Sequence, residues 1–188
     1  MRKSTDIRVI KTQKALLKAL EDLIQTKKLS CISITELCNA AKINRNTFYY
    51  HYNNVYDLLE DNKKILLDEI NEIMDVSRPR SKETIYALCK VLSNHPCLLR
   101  ILISPNCELD FFDEIFGITA EKTRILMDKH REIKSSSENL IVGFCNAGYI
   151  AVLRSWIQNG MQEPADDIAD IIDRCCRCGP ITMLFPGN

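Results

Sequence analysis

Apolar residues recur along this chain at helical spacing, with breaks at short polar stretches, and no segment shows the strict alternation of a strand. Between Thr12 and Thr26, Leu16, Ala19, Leu20, Leu23 and Ile24 fall on one face of a first helix. Lys27-Lys28-Leu29-Ser30 interrupts it. Ser33 and Glu36 then form an S-x-x-E capping pattern. It opens a short helix whose inner face is Ile34, Leu37, Cys38 and Ala41. A break at Lys42 follows, and Asn44 is placed to cap a third short helix on which Phe48 and Tyr52 point inward. Two short helices joined by a tight turn and preceded by a longer one make a helix-turn-helix. Many such turns carry glycine where this chain has Lys42, so that position calls for a strained or shifted backbone.

Asn53-Asn54 precedes a fourth helix from about Val55 to Met74, with Val55, Leu58, Leu59, Ile65, Leu66, Ile70 and Ile73 inward. Ser77-Arg78-Pro79-Arg80-Ser81 reads as a linker. Ile85, Leu88, Cys89 and Leu92 mark a fifth helix, Pro96 opens a sixth, and residues 108–134 read as one helix interrupted near Gly117. Ser135 and Glu138 repeat the capping pattern before a long helix that ends at Gly160. Pro164 starts the last helix, which closes at Gly179-Pro180. The pattern predicts an all-α fold of about nine helices. A three-helix helix-turn-helix domain over residues 1–53 precedes a helical domain over residues 54–188.

Charge adds a direction to this pattern. Residues 1–53 carry ten Lys and Arg against four Asp and Glu, a net of +6, and the remainder carries −6. A basic head on an acidic body suits a nucleic-acid-binding segment. No run approaches the roughly 18 apolar residues of a membrane span, and the first residues lack a signal-peptide core, so a cytoplasmic protein with no membrane association is expected. The nine cysteines are odd in number and mostly fall on apolar stripes, which favours small buried hydrophobes over a disulfide framework.

The chemistry concentrates in I-N-R-N-T-F-Y-Y-H-Y, residues 43–52. With Phe48 and Tyr52 inward, Arg45, Asn46, Tyr49 and Tyr50 face outward and His51 lies at the flank. Arg can read guanine, Asn can read adenine, and phenol and imidazole groups can bond phosphate oxygens. A packing face with solvated phenols is the plainer alternative, and the capped short helix before it argues for DNA.

Residues 12–59 resemble the N-terminal domain of TetR/AcrR-type transcriptional regulators. The likeness lies in the apolar run Ala15 to Ile24, in SITELCNAAKINRNTFYYHY, in Thr47-Phe48-Tyr49-Tyr50-His51-Tyr52 and in Asp57-Leu58-Leu59. The resemblance implies that Ser33 and Thr35 meet phosphates, that Arg45, Asn46 and Thr47 face base edges, and that Tyr49, Tyr50 and His51 hold the backbone. Asn44 belongs to the same surface. Where many members have Lys at the start of the fourth helix, this chain has Val55. Residues 147–172 are similar to the last two helices of a subgroup that includes regulators of dihydroxyacetone-kinase operons.

That likeness implies a homodimer through Ala147, Gly148, Tyr149, Leu153, Ile168 and Ile172, with the chain's own core as the alternative use of these residues. Tyr86, Phe112, Phe116, Met127 and Trp156 could line an effector pocket or fill the core. The expected partners are a double-stranded DNA operator, a second copy of the chain, and a small-molecule effector or a partner protein. No cofactor and no metal site are expected, although Cys175, Cys176 and Cys178 raise a metal or thiol sensor as an alternative. An adaptor that has lost its operator is another. No G-x-S-x-G, phosphate loop or H-E-x-x-H is present, so no enzyme is expected.

Overall fold

Ser33 has extended backbone angles (φ −81°, ψ 149°), and its hydroxyl accepts from the Glu36 N–H at 3.2 Å, so α2 starts where the capping pattern places it. A computed structural model of the protein describes residues 7–73, 82–109, 111–115, 117–118, 121 and 138–179. Among these residues the regular structure is helical throughout, with no strand. Ser135, Phe116 and Met127 lie outside the described residues.

The chain divides into two compact units. The first combines Met1–Ile65 with Cys97–Leu109. It holds α1 (Ile7–Ile24), a 3-10 turn (Leu29–Cys31), α2 (Ile34–Ala41), α3 (Arg45–His51), the first part of α4 (Val55–Ile73) and nearly all of α6 (Pro96–Leu102). α1 packs on α2, and α2 on α3. Leu16, Leu20, Ile24, Leu37, Phe48 and Leu58 are fully buried at the centre. Burying such side chains contributes about 1.5–3 kcal/mol each. α1 begins earlier than its apolar stripe indicates. Ile7 and Ile10 are exposed, so its first turns bury little and leave no periodic signal.

A domain boundary after residue 53 falls inside this unit, because two later stretches fold with the helix-turn-helix. The Leu29 N–H donates to the Asn106 carbonyl at 2.9 Å, and the Asn106 amide donates to the Ile24 carbonyl at 2.8 Å. Arg100 pairs with Glu21 on α1. Tyr56 donates to the Glu108 carboxylate at 3.2 Å. Along α4, Val55, Leu58, Leu59, Leu66 and Ile70 are buried as expected. Ile65 is not, at 48% exposed. The stripe in that stretch centres on Leu66 and Ile70, and Lys63 takes a buried position one turn before them.

The second unit combines Leu66–Pro96 with Asp110–Asn188. In it lie α5 (Lys82–Ser93), the helical residues 111–115, α7 (Glu138–Gln158) and α8 (Ala165–Cys178). α8 packs against both α5 and α7. Its Ile168, Ala169 and Ile172 are buried, as are Leu88, Cys89 and Leu92 of α5. Lys82 joins the pair from outside, 2.7 Å from Asp170. α7 ends in a left-handed turn at Gly160 (φ 79°) and Met161 (φ 54°), where the Met161 N–H reaches the Trp156 carbonyl at 2.9 Å. Gly179 (φ 80°) closes α8.

Candidate nucleic-acid interface

The turn between α2 and α3 is made by Lys42, at φ 56° and ψ 38°. Its N–H bonds to the Asn39 and Cys38 carbonyls, and the Ile43 N–H returns to Cys38 at 2.9 Å. This closes α2 with a left-handed residue, a conformation that costs roughly 1–2 kcal/mol for a residue with a Cβ. The glycine missing from the sequence pattern therefore shows up as strain, not as a different turn. Asn44 follows as the cap of α3, its Oδ1 accepting from the Asn46 N–H at 2.8 Å.

Two rings anchor α3 from below. Phe48 is fully buried and Tyr52 nearly so, with ring centroids 5.6 Å apart. Burial, with Asp61 nearby, pushes the Tyr52 hydroxyl above its ordinary value, against a hydrogen bond with Gln13. Tyr49 meets the edge of Phe48 at 5.9 Å, and Tyr50 meets His51 at 4.9 Å. Tyr49 is nonetheless 57% exposed and Tyr50 79%. Exposed rings with buried neighbours form a rigid platform whose hydroxyls stay free to meet a partner.

Ser33, Thr35, Asn44, Arg45, Asn46, Thr47, Tyr49 and Tyr50 are all exposed, and His51 is half-buried at the flank. The Arg45 guanidinium donates to the Thr35 hydroxyl at 3.4 Å, so the start of α2 and the start of α3 present one surface. The acid on this stretch, Glu36, is engaged by Lys27 and does not answer Ser33 in a reciprocal cap. At the start of α4, Val55 is buried at 4% exposure. Asp57 accepts from the Asn53 N–H and from the Asn53 and Asn54 side-chain amides, and these bonds hold its carboxyl below the ordinary range. Position 55 thus serves the core and presents no cation. The sequence pattern did not single out Lys42 as part of this surface; the absent glycine was the signal.

The second unit uses its expected residues differently. Leu153, Ile168 and Ile172 are buried inside the single chain, at 2–4% exposure, because α8 packs against α5 and α7. They therefore offer no free apolar surface to a partner. Ala147 and Gly148 are exposed and Tyr149 is half-buried. Leu140 and Phe144, two turns and one turn before them, are 77% and 74% exposed. Of the residues expected at an effector pocket, Tyr86 lies at the surface with Lys90 over its ring. Phe112 packs on Phe111 and lies 4.5 Å from the Arg154 guanidinium carbon. The Trp156 indole donates to the Glu163 carbonyl at 3.0 Å, beside an open groove lined by Ala151, Ser155, Ile168 and Ile171. These three side chains have separate surroundings.

Cys38 and Cys89 are buried, while Cys31, Cys176 and Cys178 are exposed. The Cys176 thiol donates to the Tyr149 hydroxyl at 3.0 Å. Among the described residues no group of three or more His, Cys, Asp or Glu is arranged to hold a metal ion. No described helix is long and apolar enough to cross a membrane.

Residues 80–177 match the TetR C-terminal family described as "Transcriptional regulator C-terminal region". The chain belongs to the TetR family of transcriptional regulators. The match falls outside the helix-turn-helix, so it is independent of the α2–α3 surface. Solved TetR-type structures share the all-α fold. The dihydroxyacetone kinase operon activator DhaS is 22% identical, with 86% of this chain and 91% of that one aligned and a TM-score of 0.56. The fatty acid degradation regulator FadR from Bacillus halodurans is 12% identical over 90% and 96%, with a TM-score of 0.60. The TetR-like regulator LfrR from Mycobacterium smegmatis, solved in complex with proflavine, is 18% identical over 90% and 96%, with a TM-score of 0.51. No curated protein sequence matches the chain.

Proposed function

We propose that this TetR-family chain is a sequence-specific DNA-binding regulator that works as a homodimer, with no catalytic role. The observation that carries the reading is the arrangement of α3. Phe48 and Tyr52 are buried, while Arg45, Asn46, Thr47, Tyr49 and Tyr50 of the same short helix are exposed. A helix presented in this way fits the major groove. Arg45 and Asn46, at its N-terminal end, would reach base edges there, and the phenols and His51 would reach phosphates. Ser33 and Thr35 add donors at the start of α2.

The dimer surface we assign is the exposed side of α7: Leu140, Phe144, Ala147 and Gly148, with Tyr149 at its edge. A row of large apolar side chains 74–77% exposed is costly in water and is relieved by burial in an interface. No described atom lies within 4 Å of where a Cβ would sit on Gly143 or Gly148, so among the described residues nothing fills the space beside them. A second copy of α7 can approach closely there. A small-molecule effector or a partner protein bound to the second unit would act by changing the spacing of the two recognition helices. DNA binding needs that spacing near one helical turn, about 34–36 Å.

The test is selection of a duplex from a random-sequence pool by the full chain, followed by footprinting. A single enriched, two-fold symmetric site supports the reading, and a pool with no enrichment at low salt refutes it.

A further inference from the structure

Lys42 pairs an expensive backbone with an exposed charge. Its left-handed conformation (φ 56°, ψ 38°) is one that glycine adopts without a Cβ penalty, and the hydrogen bonds that close α2 there use only the backbone. A lysine side chain contributes nothing to that closure. The side chain is exposed and makes no ion pair among the described residues. Three other lysines of the same unit are engaged, Lys18 by Glu21 and Asp22, Lys27 by Glu36 and Lys63 by Glu60, while Lys42 shares its place between α2 and α3 with no acid. Between Ser33 and Asn53 the chain carries two full positive charges, Lys42 and Arg45. If Arg45 reads a base, one Lys or Arg is left on this stretch to meet the DNA backbone.

Position and reach agree. Lys42 precedes Arg45 by three residues, which keeps their Cα atoms within about 11 Å. The major groove is about 12 Å wide and flanked by phosphates. A residue at the turn entering a groove-bound helix therefore lies close to one flanking strand, within range of a lysine's extended side chain. The corresponding start of α4 supplies no cation, since Val55 is buried and the Asn54 side-chain oxygen caps the helix by accepting from the Asp57 N–H. We propose that Lys42 is a phosphate-contacting residue of the DNA interface, and that the strained turn is kept for its charge. The proposal rests on the reading of α3 as the recognition helix.

The experiment measures affinity against salt concentration, using the duplex selected by the wild-type protein and a scrambled duplex of equal length. It compares wild type, Lys42→Gly, Lys42→Asn and Lys42→Arg as full chains, with a thermal melt of each. Each cation withdrawn from the phosphates should reduce the slope of log K against log salt by about 0.9, so a homodimer that loses Lys42 from both copies should show a reduction of about 1.8. Lys42→Gly is expected to melt at or above the wild-type temperature, to show the shallower slope on both duplexes and to bind both more weakly. Lys42→Asn, which tolerates the left-handed backbone without glycine's added chain freedom, should give the same slope. Lys42→Arg should restore it. Unchanged slopes in both neutral variants overturn the assignment while leaving the recognition helix intact. A wild type that selects no duplex overturns the proposed function itself, and this proposal with it.

Discussion

Glu21 on α1 and Arg100 on α6 meet in an ion pair across 79 positions of sequence, within the same unit as the helix-turn-helix. Glu21 is 7% exposed, and Lys18 reaches its second oxygen at 3.1 Å. Burial by itself pushes the carboxyl up. Hydrogen bonds from Arg100, Cys97 and Lys18 together outweigh it and hold the group below its ordinary value. The pair thus fixes α6 to the helix against which α2 packs.

Replacing Glu21 by Gln should lower the unfolding free energy by about 0.5–1.5 kcal/mol, the net worth of an ordinary hydrogen bond, since Arg100 and Lys18 are largely exposed and regain water. Urea denaturation at pH 7 would measure it. The pH dependence has a definite sign. A carboxyl depressed in the folded state stabilises fully above its ordinary value of 4.5 and loses that contribution as the pH falls below it. Wild type should therefore lose more stability than Glu21→Gln between neutral pH and the acid range. Equal losses would show that the pair carries no net linkage.

How far the sequence disclosed this fold depends on the range of the contacts. Ser33 capping Glu36, Asn44 capping Asn46 and the inward pair Phe48 and Tyr52 depend on neighbours within four residues, and each is where spacing places it. The Glu21–Arg100 pair and the seating of Asn106 against Ile24 join residues about 80 apart, and no local periodicity encodes them. α7 is apolar nearly all round, with Leu153, Trp156 and Ile157 buried and Leu140 and Phe144 exposed. An apolar stripe locates an inner face only when the opposite face is polar. For that reason the side Leu153 takes is not legible from sequence; α8 has a clear stripe in Ile168 and Ile172, but a stripe does not say whether the same chain or a second copy covers it, and here α5 and α7 do.

That distinction changes which substitution tests the dimer. Trp156→Glu would put a charge into the core, where Trp156 is 3% exposed and bonded to Glu163, and would unfold the chain. Phe144→Glu places the same charge on a side chain that the single chain leaves exposed. Wild type should scatter light as a dimer at micromolar concentration. Phe144→Glu should give a folded monomer with unchanged helical content. A wild-type monomer, or a dimer indifferent to Phe144→Glu, would contradict the α7 surface.

The cysteines separate by surroundings. Burial pushes the Cys89 thiol up to about 12, and burial together with Glu21 does the same for Cys97. Cys38 is raised by burial as well, against the pull of Arg45. Alkylation of the folded protein near pH 8, followed by mass spectrometry, should modify Cys31, Cys176 and Cys178 first. Cys89 and Cys97 should lag by roughly 100-fold or more, since only the thiolate reacts, and Cys38 should lag as well. Replacing Cys175, Cys176 and Cys178 together by Ser should leave operator binding and its response to zinc, copper and peroxide unchanged. A response seen in wild type and missing from the triple variant would make the C-terminal cysteines a sensor.

The central claim is that Arg45 and its neighbours on α3 read a DNA sequence. It is tested most directly by comparing wild type, Arg45→Ala and His51→Ala on the duplex selected by wild type and on single-base variants of it. Arg45→Ala should lose about 1–3 kcal/mol per half-site and tolerate any base at one position of each. His51→Ala should weaken every duplex alike. Half-site centres should lie about 10–10.5 base pairs apart, or a multiple of that, as two-fold docking requires. A wild type that binds all duplexes equally, or an Arg45→Ala that keeps the full base preference, would contradict the account.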